Sequence, residues 1–111
     1  MNREIVLGKL KLKTATIPIP EWGGDLTIRE LNAPERFKFA ERFNGASGQR
    51  LAEAMVDIVI ACSQNGSGPL FKPEDFQALV DSDGKVLQRI AEECLRLSGL
   101  TADAVEASEK N

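Results

Sequence analysis

Two alternating runs near the start of the chain give way to helical spacing after residue 31. From Ile5 to Ile19 the pattern predicts extended structure. Leu10 and Leu12 alternate with Lys9, Lys11 and Lys13, which puts alkyl groups on one face and ammoniums on the other. Pro18 and Pro20 lack the N–H that a ladder needs, so this strand belongs at a sheet edge. Lysines there keep an edge from pairing with other chains, and the same row offers cations to an acidic partner or RNA. A second alternation, Leu26 and Ile28 against Thr27 and Arg29, runs from Asp25 to Leu31. Glu21-Trp22-Gly23-Gly24 connects the two, so an antiparallel hairpin is expected, with Gly23 and Gly24 supplying positive φ at the reversal. Trp22, the only tryptophan, is placed to pack over the hairpin and the start of the first helix.

Asn32-Ala33-Pro34-Glu35 changes the period. Asn32 caps the first free amides, Pro34 suits a first turn, and Glu35 reaches back to the cap. The helix continues through Phe37, Ala40 and Phe43, with Phe39 to one side, and stops near Asn44-Gly45. Leu51 to Cys62 is apolar around most of its circumference: Leu51, Met55, Ile58 and Cys62 form one stripe, broadened by Ala52, Val56 and Ile60. A helix coated this fully is central and buried, or keeps one strip for another chain, and the two are compatible. Gln64 to Leu70 reads as a loop. Phe71 to Asp75 opens a short helix ending near Val80. Ser82 or Asp83 caps a last helix carrying Val86, Leu87, Ile90, Cys94 and Leu97, and Gly99-Leu100 is its stop signal. The expected class is α+β: an N-terminal antiparallel hairpin followed by a helical body of about four helices. Residues 1–100 form a single domain, and 101–111 a short helical or frayed tail.

Size and charge narrow the function. For 111 residues and 12.1 kDa, surface scaling gives about 17,500 Å² unfolded and about 6,000 Å² folded, enough burial for one core without a metal or a disulfide. A net charge of −3 and a pI near 5.0 argue against a general nucleic-acid binder. The chain has no histidine, hence no usual general base or imidazole metal ligand. Cys62 and Cys94 fall on apolar helical faces and read as reduced core cysteines, a disulfide or reactive thiol being the alternative. The first residues lack a signal-peptide apolar core, and no run approaches a membrane span, so a cytoplasmic protein is expected.

Candidate chemistry fails on spacing. An EF-hand loop from Asp81 would put Val86 where glycine is required, and moving Gly84 to that position starts the loop on Leu79. Asp81 to Gly84 therefore reads as a helix-joining turn. Gly66-Ser67-Gly68 lacks the lysine and the strand of a phosphate loop. Arg89, Glu92, Glu93 and Arg96 stand at the spacing of surface ion pairs. Ser47, Ser63 and Ser67 have no histidine to activate them. No catalytic, cofactor-binding or metal-ligating residue is assigned.

The order of features resembles a known family, the tail assembly chaperones of long-tailed bacteriophages and prophages. The resemblance rests on Ile17-Pro18-Ile19-Pro20-Glu21-Trp22-Gly23, on Arg29-Glu30-Leu31 leading into Asn32-Ala33-Pro34-Glu35, and on Pro69-Leu70-Phe71 before Pro73-Glu74-Asp75-Phe76. Leu97-Ser98-Gly99-Leu100 closes the pattern, which runs in order over residues 5 to 100. One departure is Ser63-Gln64-Asn65-Gly66, where relatives often carry an acidic D-x-x-G turn.

The resemblance implies a non-enzymatic protein of the host cytoplasm that is absent from the finished virion. It implies that the chain holds the apolar helical stretches of a tape-measure protein and helps recruit tail-tube subunits, with self-association to supply many copies. Phe37 or Phe39, Leu51, Met55 and Ile58 are the candidate partner surface, and Trp22, Gly23 and Gly24 the structural anchor. In the family a fraction of ribosomes slips back one nucleotide to make a longer form, and codons for Glu109-Lys110-Asn111 permit such a site. Readings from other classes are a virion component, such as a head–tail connector or tail terminator, and a small bacterial adaptor.

Overall fold

The first strand is shorter than the alternation suggests, and a helix precedes it. In the computed structural model, which describes residues 1–66 and 68–100, Arg3–Lys9 is helical (α1) and only Thr14–Ile19 is strand (β1). Asn2 makes the difference: its side-chain oxygen accepts the backbone N–H groups of Glu4 and Ile5 at 2.8 and 3.4 Å, and Glu4 and Lys9 suit the two ends of the helix dipole. Lys9 is thus helical, while Lys11 and Lys13 lie on the exposed lead into β1. The expected tail, residues 101–111, lies outside the described residues, and with it Glu109–Asn111, whose codons permit a slip site.

The hairpin forms as expected. β1 pairs antiparallel with Gly24–Arg29 (β2), Thr14 opposite Arg29 and Ile19 opposite Gly24. Leu26 and Ile28 turn inward and are buried. The connection is a 3-10 turn, Pro20–Trp22, closed by Gly23 at φ +81°, whose N–H donates to the Pro20 carbonyl at 3.1 Å. Gly24 departs from expectation: it is an extended strand residue, so one glycine makes the reversal. β1 lies at the edge of a four-stranded sheet of order β1-β2-β3-β4.

The other two strands come from the segment that reads as a loop. Ser63–Asn65 (β3) follows Gly48–Cys62 (α3) directly, and Gly68–Pro69 (β4) returns beside it. Their polar sequence carries no alternation. Pairing of Ile28 with Ser63 and Thr27 with Gln64 recruits them to the sheet, an interaction between segments far apart in the chain.

Between β2 and α3 stands Ala33–Phe43 (α2), with the expected capping box. Glu35 N–H donates to Asn32 Oδ1 at 3.0 Å, and Asn32 N–H donates to Glu35 Oε1 at 3.0 Å. Glu35 also receives both Nη groups of Arg29 at 2.8 and 2.9 Å, locking the β2–α2 corner. This bidentate bond chiefly holds the Glu35 carboxyl below the usual carboxylate range and the Arg29 guanidinium above its own. The inward face of α2 is Phe39 and Phe43, not Phe37, Ala40 and Phe43: Phe37 and Ala40 are exposed. Phe39 and Phe43 pack at 6.4 Å, and Lys38 and Arg42 cover the Phe39 ring at 5.5 and 5.7 Å. Arg42 bonds Asp57 of α3 at 2.6 Å.

A short helix, Phe76–Val80 (α4), and Gly84–Leu97 (α5) complete the body. Asp83 caps α5 through the Lys85 N–H at 2.9 Å. At the far end, Gly99 at φ +77° lets Leu100 N–H reach the Leu95 carbonyl at 2.8 Å and Gly99 N–H the Arg96 carbonyl at 3.1 Å, the stop expected there. Arg36 of α2 donates to the Ser98 carbonyl at 3.0 Å, and Leu31 N–H to Ser98 Oγ at 2.9 Å, so the α5 terminus is tied to the β2–α2 corner.

The core lies where α3 packs on α5 beneath the sheet. Val56, Ile58, Val59 and Cys62 of α3 and Ile90, Ala91, Cys94 and Leu95 of α5 are all buried in it. Both cysteines are buried and free. The Cys94 thiol, hydrogen-bonded to Cys62 and desolvated, is held well above the usual thiol range. No described helix is long and apolar enough to cross a membrane.

Candidate interaction surface

Of the partner-surface candidates read from the sequence, the fold leaves few on the outside. Leu51 and Ile58 are buried, Ile58 fully, because α3 is enclosed by α2, α4, α5 and the sheet. Phe39 is buried against Phe43. These three are core residues, spent on the fold of the single chain. Met55 is half-buried at the core margin, and Phe37 is 71% exposed on α2.

A different apolar surface stands open at the turn end of the hairpin. Pro20 and the left-handed Gly23 hold Trp22 outward from the sheet. The Trp22 ring meets Phe71 edge-on, with centroids 5.9 Å apart, instead of covering the start of α2. Phe71 is delivered by the β3–β4 hairpin: Leu70 N–H donates to the Ser63 carbonyl at 3.0 Å, fixing where the chain leaves β4. Pro73–Asp75 then makes a 3-10 turn, in which the Asp75 carboxylate accepts the Lys72 N–H at 2.8 Å, and α4 follows.

These pieces enclose a hollow of about 420 Å³ lined by Trp22, Leu70, Phe71, Ala78 and Leu79, with Asp75 and Ser82 at its rim. Ser82 Oγ donates to the Leu79 carbonyl at 2.7 Å, so its hydroxyl is already engaged. A second hollow of about 180 Å³ is lined by Ile19, Gly23, Gly24, Asp25 and Leu26 and shares Trp22 and Leu70 with the first. The indole therefore borders both hollows, 39% exposed although it is large and apolar.

The surroundings are acidic. Glu74, Asp75, Asp81 and Asp83 flank α4, against Lys72 and Lys85. Glu21 is neutralised by Arg89 of α5, bonded through both Nη groups at 2.8 and 3.1 Å. That hydrogen bond lowers the Glu21 carboxyl and raises the Arg89 guanidinium from their usual values, and it ties the hairpin turn to α5. Arg89 thus reaches across the fold, while Arg96 pairs with Glu93 within its own helix. Among the described residues no group of three or more His, Cys, Asp or Glu side chains is placed to hold a metal ion.

Sequence reasoning missed this surface because Leu70, Phe71 and Ala78 show no shared period with Trp22. The available signal was Pro69-Leu70-Phe71 itself, two large apolar residues between a Gly/Pro turn and a proline helix start. The hollow offers shape and apolar area, and its chemistry is that of a protein contact: an aromatic anchor, an apolar floor and a charged rim.

The fold is similar to that of a solved structure, the tail assembly chaperone of bacteriophage HK97. The TM-score is 0.60 at 19% sequence identity, over 87% of this chain and 95% of that one. No protein of curated function matches the sequence. The family description "Phage tail assembly chaperone" matches residues 2–110, nearly the whole chain. With the motif order, the α+β fold and this match over its length in agreement, the chain belongs to the phage tail assembly chaperone family.

Proposed function

We propose that the chain acts without catalysis as a tail assembly chaperone that holds apolar helical segments of a tape-measure protein in the Trp22–Phe71 hollow while tail-tube subunits are recruited. The observation that carries this reading is the open apolar depression at Trp22, Phe71, Ala78 and Leu79, in a chain whose most apolar helix is consumed by its own core. An amphipathic helix laid across such a depression buries two or three large side chains against an aromatic wall. The acidic flanks select segments with basic neighbours and keep the loaded complex dispersed. This work takes place in the host cytoplasm, before the particle is complete.

The test is co-expression with a helical tape-measure fragment that precipitates alone. The parent chain keeps the fragment soluble. Ala78→Arg, at an exposed position of α4 lining the hollow, stays folded by circular dichroism and loses that ability. A folded Ala78→Arg chain that protects the fragment as well as the parent does refutes the site. Recovery of the protein in purified virions refutes the chaperone role in favour of a structural one.

A further inference from the structure

Gly24 is a glycine that the backbone does not require. It is an extended strand residue, and a Cβ added there meets nothing within 4 Å. The register of the hairpin shows what the missing side chain leaves. Paired residues of an antiparallel ladder project to the same face. Ala15 stands opposite Ile28, Ile17 opposite Leu26, and Ile19 opposite Gly24. Ile28, Leu26 and Ile19 are buried, and Ala15 and Ile17 pack against the core, so this is the inward face. Its last pair has one side chain instead of two.

That gap coincides with the second hollow. Ile19, Gly24 and Leu26 line it, together with Trp22, Asp25 and Leu70. Its volume is about 180 Å³, against about 420 Å³ for the neighbouring hollow, and Trp22 and Leu70 belong to both. The lining of each includes one carboxylate, Asp25 or Asp75, and no cation. A glycine inside a strand weakens the strand, and it recurs where a ligand or another backbone comes close.

We propose that Gly24 keeps open a socket for one aliphatic side chain of the bound helix, next to a larger side chain seated against Trp22 and Phe71. The proposal rests on the reading of the larger hollow as a helix-binding site, and it narrows what that site accepts. Adjacent hollows take adjacent side chains. On a helix these are residues three or four apart, with about 5–6 Å between their Cβ atoms. The segment recognised therefore carries a large apolar residue and a Leu, Ile or Val three or four positions away. A lysine or arginine near each meets Asp75 and Asp25. The guest aliphatic side chain completes the inward row that Ile28 and Leu26 begin.

The experiment measures binding of synthetic helical peptides to the full chain and to Gly24→Leu and Ala78→Arg, both at exposed positions, by fluorescence anisotropy. The probe is an alanine-rich peptide of about 18 residues, long enough to hold a helix. It carries Phe and Leu four positions apart with a lysine beside each. One control peptide has Ala in place of that Leu, and another has the Leu only two positions from the Phe. The parent binds the probe at least tenfold more tightly than either control. Gly24→Leu is folded by circular dichroism, binds the probe at least tenfold more weakly than the parent, and no longer distinguishes it from the Ala control. Ala78→Arg binds none of the three. Equal affinity of the parent for all three peptides overturns the socket without any change to the protein, and so does parent-like binding by folded Gly24→Leu. Preference for the two-position spacing overturns it as well, assigning the site to an extended strand. Parent-like peptide binding by Gly24→Leu with loss of self-association gives the gap to a second copy and overturns it too. A parent that keeps a tape-measure fragment soluble but binds no peptide refutes the pairing rule and leaves the larger hollow standing. Parent-like protection of that fragment by Ala78→Arg refutes the larger hollow itself.

Discussion

Removing the indole of Trp22 tests how the hairpin is held to the rest of the fold. The residue is 39% exposed, so about three-fifths of its surface is covered by Phe71, Leu70 and the strands beneath. A covered tryptophan accounts for about 150 Å² of apolar contact at this degree of burial. After allowing for the area an alanine retains, roughly 100 Å² returns to water, which at about 25 cal/mol/Å² is about 2.5 kcal/mol. Loss of the edge-on pairing with Phe71 adds about 0.5 kcal/mol. No enclosed cavity forms, because both flanking hollows open to solvent, so the cavity penalty seen at sealed core sites is absent. Trp22→Ala is therefore expected to lose about 3 kcal/mol, with the midpoint of thermal unfolding falling by roughly 12–20 °C for a domain of this size. The assay is urea unfolding followed by far-UV circular dichroism, since the variant has no indole fluorescence. A loss under about 0.5 kcal/mol would refute the packing argument and make the ring a pure contact residue.

Three further outcomes check particular features of the fold. Gly23→Ala should cost about 1 kcal/mol because a side chain at φ +81° is strained, whereas Gly24→Ala, extended and with open space around it, should fall within about 0.5 kcal/mol of the parent in the same denaturation assay. Glu35 has a lowered folded pKa, so its stabilisation is fully present above the unfolded glutamate value of about 4.3 and is lost as pH falls through the lower folded value. Glu35→Gln should thus cost about 1 kcal/mol at neutral pH, a penalty that shrinks as pH falls through the lowered folded value, and a pH-independent penalty would contradict the ion-pair account. Ile58→Glu should abolish folding, since a charge at a fully buried site has no partner, while Met55→Glu at the half-buried margin should leave a folded chain by circular dichroism.

Local chemistry alone determined a good part of this protein. The hairpin was legible because Leu26 and Ile28 alternate with polar residues and a Pro/Gly turn divides two such runs. The capping box at Asn32 and Glu35, a cap at Ser82 or Asp83 and the Gly99 stop were legible for the same reason: each is decided by groups within a few residues of one another, and the structure selects Asp83. Family resemblance was also carried by local motifs in order. Orientation and pairing were decided elsewhere. Helical spacing in α2 admits either Phe37 or Phe39 as the inward residue, and only the position of α3 and its Asp57 settles the choice. Ser63-Gln64-Asn65 has no strand signal, and it becomes strand because β2, paired with β1 along one edge, offers its other edge at Thr27 and Ile28. The apolar circumference of α3 could not say how much of it would be covered, because coverage depends on how many neighbours arrive. The proposed interaction surface follows the same rule. Trp22 and Phe71 are 49 residues apart in the chain, and a surface assembled from two turns and a five-residue helix has no period to read. A contact between distant segments is settled by the free energy of the whole packed chain.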